Sequence, residues 1–277
     1  MKVEFEGMEG FHRLKSLWKI EYRMVFMEPF LTRGVSDELV EGIGNLIHRR
    51  LPKDAVPLVM GDRAVLTGNA VKGVFRHIIS AQLTQAGVDV CFQKVKVSPE
   101  ASQRIEEMGR VNACQPDNPC FVCAWFGTSG RQGALHFSFL KSTKSINEIL
   151  VGEPIPMVAL AEDLNALVAK KGRGAFALLA PVKENTEFRG WITGENLSME
   201  ILGAIKEIAD MSEKGFVRFG GLKTRGFGSA RIEILKIEKF NAAPFKLEKS
   251  YEGSELKSFL EACQRKYHLL LSRGRKP

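Results

Sequence analysis

The chain has 277 residues, 44% of them hydrophobic, which is enough for one large domain or one core with sizeable insertions, and no Pro/Ser-rich linker divides it. Lys and Arg number 40 against 32 Asp and Glu, and the net charge of +8 favours an anionic partner such as nucleic acid. The N-terminal MKVEFEGMEGFHRLKS lacks an apolar signal core and no stretch approaches the roughly 18 apolar residues of a membrane span, so a soluble, cytoplasmic protein with no membrane partner is expected. Of five cysteines, three fall within ten residues, which suits a reduced compartment and a metal better than a disulfide framework.

In chain order, WKIEYRMVFMEPF places Trp18, Ile20, Tyr22, Met24 and Phe26 on one face and Lys19, Glu21 and Arg23 on the other, the period of a half-buried strand that Pro29 ends. TGNAVKGVFRHIISAQLTQAG predicts a helix, with Thr67 or Asn69 as N-cap, apolar positions at 71, 74, 75 and 78, and an end near Gly87. Residues 133–140, 176–182 and 186–192 read as strands. SMEILGAIKEIADMSEKG then supplies a second helix with Ser198 as cap, Leu202, Ile205 and Ile208 as its apolar face and Gly215 as its stop. SARIEILKIEKF is a last strand whose alternation changes phase near Leu235, the mark of a bulge.

The order is strand, helix, strand, strand, helix, strand. That predicts an α+β, ferredoxin-like (RRM-like) βαββαβ core with helices on one sheet face and the other face free to bind. The expected division is 1–240 as one elaborated domain and 241–277 as a C-terminal helix with a basic tail. In that helix Leu256, Phe259, Leu260, Cys263, Tyr267 and Leu270 share a side that docks on its own domain or on a neighbouring subunit.

GGLKTRGFGSARIEI concentrates four glycines and three basic residues ahead of the last strand. It lacks the Gly-Lys-Ser/Thr ending of a P-loop, and it precedes a strand where a dinucleotide fingerprint would open a helix. Gly220, Gly221, Gly226 and Gly228 allow close backbone approach to a ligand, with Lys223 and Arg225 as phosphate contacts; a mobile surface hairpin is the plainer alternative. At the first helix start, Lys72 and Arg76 lie at i and i+4 beside an N-terminus that already favours an anion, so Asn69, Lys72 and Arg76 are candidate RNA contacts. His77 reads as a packing residue.

Cys114, Cys120 and Cys123 form Cys-x5-Cys-x2-Cys, a spacing that can set three thiolates around a tetrahedral zinc. Cys91 is the best available fourth ligand, with His77 and His136 in competition. Four ligands would make the zinc structural, stapling an insertion at about 91–132.

Taken together, these segments resemble the RAMP superfamily (repeat-associated mysterious proteins) of CRISPR systems. The carriers are the glycine loop leading into the last strand, EPFLTRG at 28–34, LTGNAVKGVFR at 66–76 and CFVCAWFGTSGRQGALHFS at 120–138, in family order from about Trp18 to Phe240. The type III backbone branch is the nearest in pattern. That resemblance implies a subunit that lines up in copies of itself along a CRISPR guide RNA, beside other effector subunits and the complementary target nucleic acid, in antiviral defence. Recognition would go to the sugar-phosphate backbone, because base pairing reads the sequence.

The resemblance also places a thumb-like hairpin at about 141–175, with Lys170, Lys171 and Arg173 at its tip. It puts Asp54 nearest the loop aspartate with which some members cleave target RNA with Mg²⁺, Asp37 and Asp62 being rivals. A transcript-processing endoribonuclease, using His as acid or base, is the alternative from another class. A DNA-reading regulator would need a base-reading helix stripe, which neither core helix has.

Overall fold

In the computed structural model the described residues are 13–32, 56–91, 114, 118–128, 130–159 and 175–274. They form a mixed α/β fold with five α-helices and a largely antiparallel sheet ordered β10-β9-β1-β8-β5-β3-β2, with β4 also paired to β8. The strands are β1 (Ser16–Phe26), β2 (Val59–Met60), β3 (Arg63–Leu66), β4 (Leu135–Phe137), β5 (Leu140–Ser142), β6 (Ile155–Ala159), β7 (Ala175–Leu179), β8 (Glu187–Glu195), β9 (Ala230–Asn241) and β10 (Lys246–Tyr251). The helices are α1 (Gly68–Gln85), α2 (Phe121–Phe126), α3 (Ile146–Ile149), α4 (Met199–Glu213) and α5 (Gly253–Gly274). None is long and apolar enough to cross a membrane.

β1 is central because its alternation serves two neighbours, β8 and β9, both antiparallel. Trp18, Ile20, Tyr22, Met24 and Phe26 are buried under the helices. On the opposite face Arg23 pairs with Glu187 and Glu233, and Lys19 lies over the exposed Trp191 ring. The bulge sits where the alternation breaks: Tyr22 faces Ile234 and Glu21 faces Lys236, leaving Leu235 unpaired in register. Its consequence is that inward positions pass from Ile232 to Ile237, an odd step that keeps both halves of β9 packed.

α1 starts where Thr67 Oγ1 accepts the Ala70 N–H, and it buries Val71, Phe75, Ile79 and Leu83 at four-residue spacing. Gly68 lets it begin hard against the sheet, since a Cβ there would lie 2.1 Å from the Phe137 carbonyl oxygen. α4 and α5 pack just as closely at Gly203, where a Cβ would meet the Cys263 carbonyl at 2.2 Å. Leu256, Leu260, Cys263, Tyr267 and Leu270 are buried, and the Tyr267 hydroxyl donates to Gln82 Oε1 at 2.9 Å, tying α5 to α1.

Three expectations change. The stretch 133–140 is not one even strand: β4 and β5 pair β8 in registers one residue apart, with Ser138 donating to the Trp191 carbonyl between them. The strand expected at 176–182 leaves the main sheet, because β7 pairs with β6 in a separate two-stranded ribbon. Beyond residue 241 the chain also adds β10 to the sheet before α5. Alternating charged residues in KLEKSY give edge-strand pairing no apolar signature.

Candidate nucleic-acid interface and metal centre

The glycine loop is a built structure. Gly220, Leu222, Gly226 and Gly228 all have positive φ, and Lys223–Arg225 form a single 3-10 turn. Its ends are pinned to the strand exit of β1: Gly221 N–H donates to the Leu31 carbonyl at 2.9 Å, and Gly228 N–H donates to the Pro29 carbonyl at 2.9 Å. A Cβ at Gly228 would lie 1.9 Å from the Phe219 carbonyl oxygen, and one at Gly220 would lie 2.3 Å from that of Leu31. Beneath, Phe227 packs with Leu31 and Leu179 in a small cluster that joins the loop to the base of the β6–β7 ribbon.

One ion pair anchors this arrangement. The Arg218 guanidinium donates to both carboxylate oxygens of Glu28, which also accepts the Ser229 N–H at 3.2 Å. Arg218's hydrogen bond is the main reason the Glu28 carboxyl is held below the usual carboxylate range. Neither residue stands out in the sequence, because the pair spans 190 positions.

The loop and the start of α1 face each other across a cleft of ≈ 700 Å³ lined by Thr32, Thr67, Asn69, Gly73, Val74, His77, Phe216, Arg218, Gly220, Gly221 and Lys223, among others. Asn69, Gly220, Gly221 and Lys223, expected as contacts, are thus brought together. Arg225 and Gly226 are exposed on the same turn. Lys72 and Arg76 are not on the cleft wall: at about 100° per residue, they fall on the flank of α1 away from Ala70 and Val74. Burial, and then the positive charge of Arg76, lower the Lys72 pKa, so the two cations are close to each other.

His77 is exposed and faces this cleft, which corrects its reading as a packing residue. Helical period alone cannot tell a core from a cleft when both flank one helix. Phe216, 74% exposed at the rim, was not singled out. The available signal was its place beside Gly215, whose φ of 78° ends α4 and turns the ring outward. Asp54, Lys170, Lys171 and Arg173 lie outside the described residues.

The four cysteines converge. The sulfurs of Cys91, Cys114, Cys120 and Cys123 all lie within 4.8 Å of one another, and none is in a disulfide. Cys91 and Cys123 Sγ are 3.4 Å apart, and the Cys120 N–H donates to Cys114 Sγ at 3.3 Å. A metal–sulfur distance of about 2.3 Å sets tetrahedral S···S edges of about 3.8 Å, so the group fits a cation with small adjustments. Hydrogen bonds from Cys123 and then Cys91 hold the Cys120 thiol far below its ordinary value, whereas Cys91 is pushed up to about 11, chiefly by Cys120. A single thiolate shared among thiols is what close sulfurs sustain by themselves; a cation would draw off the other protons. Cys91, 23 positions before Cys114 in the chain, joins as the fourth donor, and His77 and His136 do not.

A mixed α/β protein with a glycine loop set against a helix start, and a separate four-cysteine knuckle, is the class the geometry defines. The RAMP superfamily model matches residues 43–231, more than half of the chain, and the chain belongs to that superfamily. No curated protein sequence matches it. Among solved structures, a chain of the type III-B Cmr-beta complex bound to cognate target RNA is similar, with 15% identity and a TM-score of 0.44, over 82% of this chain. This chain spans 62% of that neighbour's length.

Proposed function

We propose that the protein is a guide-RNA-binding backbone subunit of a class 1, type III-like CRISPR-Cas effector ribonucleoprotein, assembling with other subunits and with copies of itself. The observation that carries this reading is the cleft between the glycine loop and α1, where the first-turn N–H groups of α1 and Lys223 suit phosphates and Phe216 offers a ring for a base of any identity. Membership of the RAMP superfamily supports it, and the motifs at 66–76 and 120–138 favour the type III branch. The ferredoxin-like reading of the core draws on the side-by-side order β9-β1-β8-β5, with α1 and α4 as its two helices. The four cysteines would hold a structural zinc, which supplies geometry and no chemistry. The β6–β7 ribbon is the counterpart of a thumb.

The test is single-stranded RNA binding as a function of salt. Lys223→Ala with Arg225→Ala should weaken binding and reduce the log–log salt slope by about 1.4, because each phosphate contact on a single strand contributes about 0.7. Lys72→Ala with Arg76→Ala should reduce it as well if the RNA follows α1 past the cleft, since a phosphate would relieve their mutual repulsion. Unchanged affinity and slope in both double variants would overturn the reading.

A cleaving role has one observation in its favour, the exposed imidazole of His77 on the cleft wall. The same assay reads it: RNA shortened by the purified chain, and spared by His77→Ala, would make this subunit a nuclease.

A further inference from the structure

A second cleft, of ≈ 590 Å³, lies at the other end of the sheet, where β1 begins, α4 starts and β10 meets α5. β1 is 11 residues long, so at about 3.4 Å per residue its two ends lie roughly 34 Å apart.

The N-terminus of α4 opens into this second cleft. The first turn of a helix leaves backbone N–H groups without intrahelical partners and concentrates the positive end of the dipole. An N-cap serine ordinarily turns its hydroxyl back onto one of those groups. Ser198 is the N-cap of α4, yet its side chain makes no capping hydrogen bond. It is 3% exposed and lines the cleft, and among the described residues its Oγ has no hydrogen-bond partner. A buried hydroxyl is costly to leave unsatisfied. Asn196 is not its partner, being committed to the N–H groups of Lys15 and Ser16 and to the Arg13 carbonyl.

The walls add charge and aromatic surface. Lys15 and Lys239 both line the cleft, with Glu248 as the single carboxylate among its lining residues and already 2.7 Å from Lys239 Nζ. Glu200, in the first turn of α4, is not among them. Trp18, Phe259 and Tyr251 form a continuous stack, with ring centroids 6.3 Å and 4.0 Å apart at the two steps. Positive charge, an uncapped helix start, an orphaned hydroxyl and an aromatic wall are the parts of a site for a phosphorylated aromatic molecule.

We infer that this cleft binds a nucleoside 5′-monophosphate group, either as a free nucleotide or as the 5′-phosphorylated end of an RNA. The phosphate sits on the first-turn N–H groups of α4 and the Ser198 hydroxyl, beside Lys15 and Lys239, and the sugar and base lie against the edge of the aromatic stack, of which Trp18 and Tyr251 are 7% and 9% exposed. The volume suits one nucleotide.

Ser198→Asp tests it cleanly. Aspartate caps helices as well as serine does, but at a position 3% exposed a carboxylate carries a desolvation cost, so the melting temperature is recorded. Ser198→Ala, which removes the unpartnered hydroxyl without adding charge and should also weaken binding, is measured beside it. In Ser198→Asp a carboxylate occupies the phosphate position. Adenosine and uridine 5′-monophosphate are titrated by calorimetry, and one oligonucleotide is compared in its 5′-phosphate and 5′-hydroxyl forms. Saturable binding of the mononucleotides with no preference between the oligonucleotides assigns a free nucleotide; preference for the 5′-phosphate form assigns an RNA end. In either case Ser198→Asp should weaken binding by at least about tenfold, and Lys223→Ala with Arg225→Ala should leave the mononucleotide binding or the 5′-phosphate preference intact. Neither binding nor end preference, or binding that survives Ser198→Asp, overturns the inference.

Discussion

The glycine loop and the cysteine knuckle are both irregular segments held in a single shape, and they reach it by opposite means. In the loop, every constraint comes from the protein: carbonyls of Pro29 and Leu31 receive its N–H groups, Glu28 receives Arg218, and Phe227 is buried below. In the knuckle, four sulfurs converge that repel one another once ionised, so a cation would complete the shape. If the loop binds phosphate as proposed, it gains from being ordered before the ligand arrives, because ordering then costs little at binding. On the proposed reading the knuckle would have a structural duty only and could depend on a bound ion.

The largest expected effect is that of removing the ion proposed for the knuckle. Cys123 lies in α2, where Phe121, Val122, Trp125 and Phe126 are all buried in the main core. Chelation or Cys123→Ser should therefore cost about 4 kcal/mol and lower the melting temperature by about 10 °C, with bound metal measured by elemental analysis. A melting curve indifferent to both would show that the knuckle, like the loop, holds itself.

The next effect separates close approach from mere backbone permission. Gly228 and Gly226 both have left-handed φ, 79° and 81°, yet a Cβ at Gly228 would meet Phe219 and one at Gly226 would meet nothing within 4 Å. Gly226→Ala should cost about 1 kcal/mol from φ alone, and Gly228→Ala about 3 kcal/mol because the backbone must also move. RNA affinity should fall much more for Gly228→Ala. Equal losses would mean that the loop is not anchored by its packing.

The legible parts of this molecule were those in which one segment carries its own instructions. β1 showed its two faces, α1 its cap and its buried stripe, and β9 its bulge at Leu235, because periodicity records burial locally. The i, i+4 spacing of Lys72 and Arg76 puts them on one face of α1. Which face meets the cleft depends on how α1 turns against the sheet, and that is set by Gly68 meeting Phe137 and Ser138, far away in sequence. The Glu28–Arg218 anchor and the pairing of β10 are likewise products of tertiary contact. The three clustered cysteines are plain from spacing and Cys91 is the best fourth donor by residue type, while the choice of Cys91 over His77 and His136 required the fold.

The smallest effect concerns Glu28, and its sign follows from linkage. Its carboxyl is held below the usual range mainly by Arg218, so the pair contributes stability above the unfolded carboxyl value, near about 4.3, and loses it as the pH falls through the lower folded value. Both side chains are about one-third exposed, 30% and 33%, so solvent screening limits the contribution to about 1 kcal/mol. Glu28→Gln keeps an acceptor for the Ser229 N–H and removes only the charge. Thermal melts of both proteins from pH 7 to 3.5 should differ by a constant few degrees above pH 5 and converge toward the acid end. Acid also strips metal from thiolates, but that loss is common to the two proteins and cancels in their difference. A gap undiminished at pH 3.5 would mean Glu28 acts through shape and not charge, and the loop's order would then rest on packing and backbone hydrogen bonds without help from the ion pair.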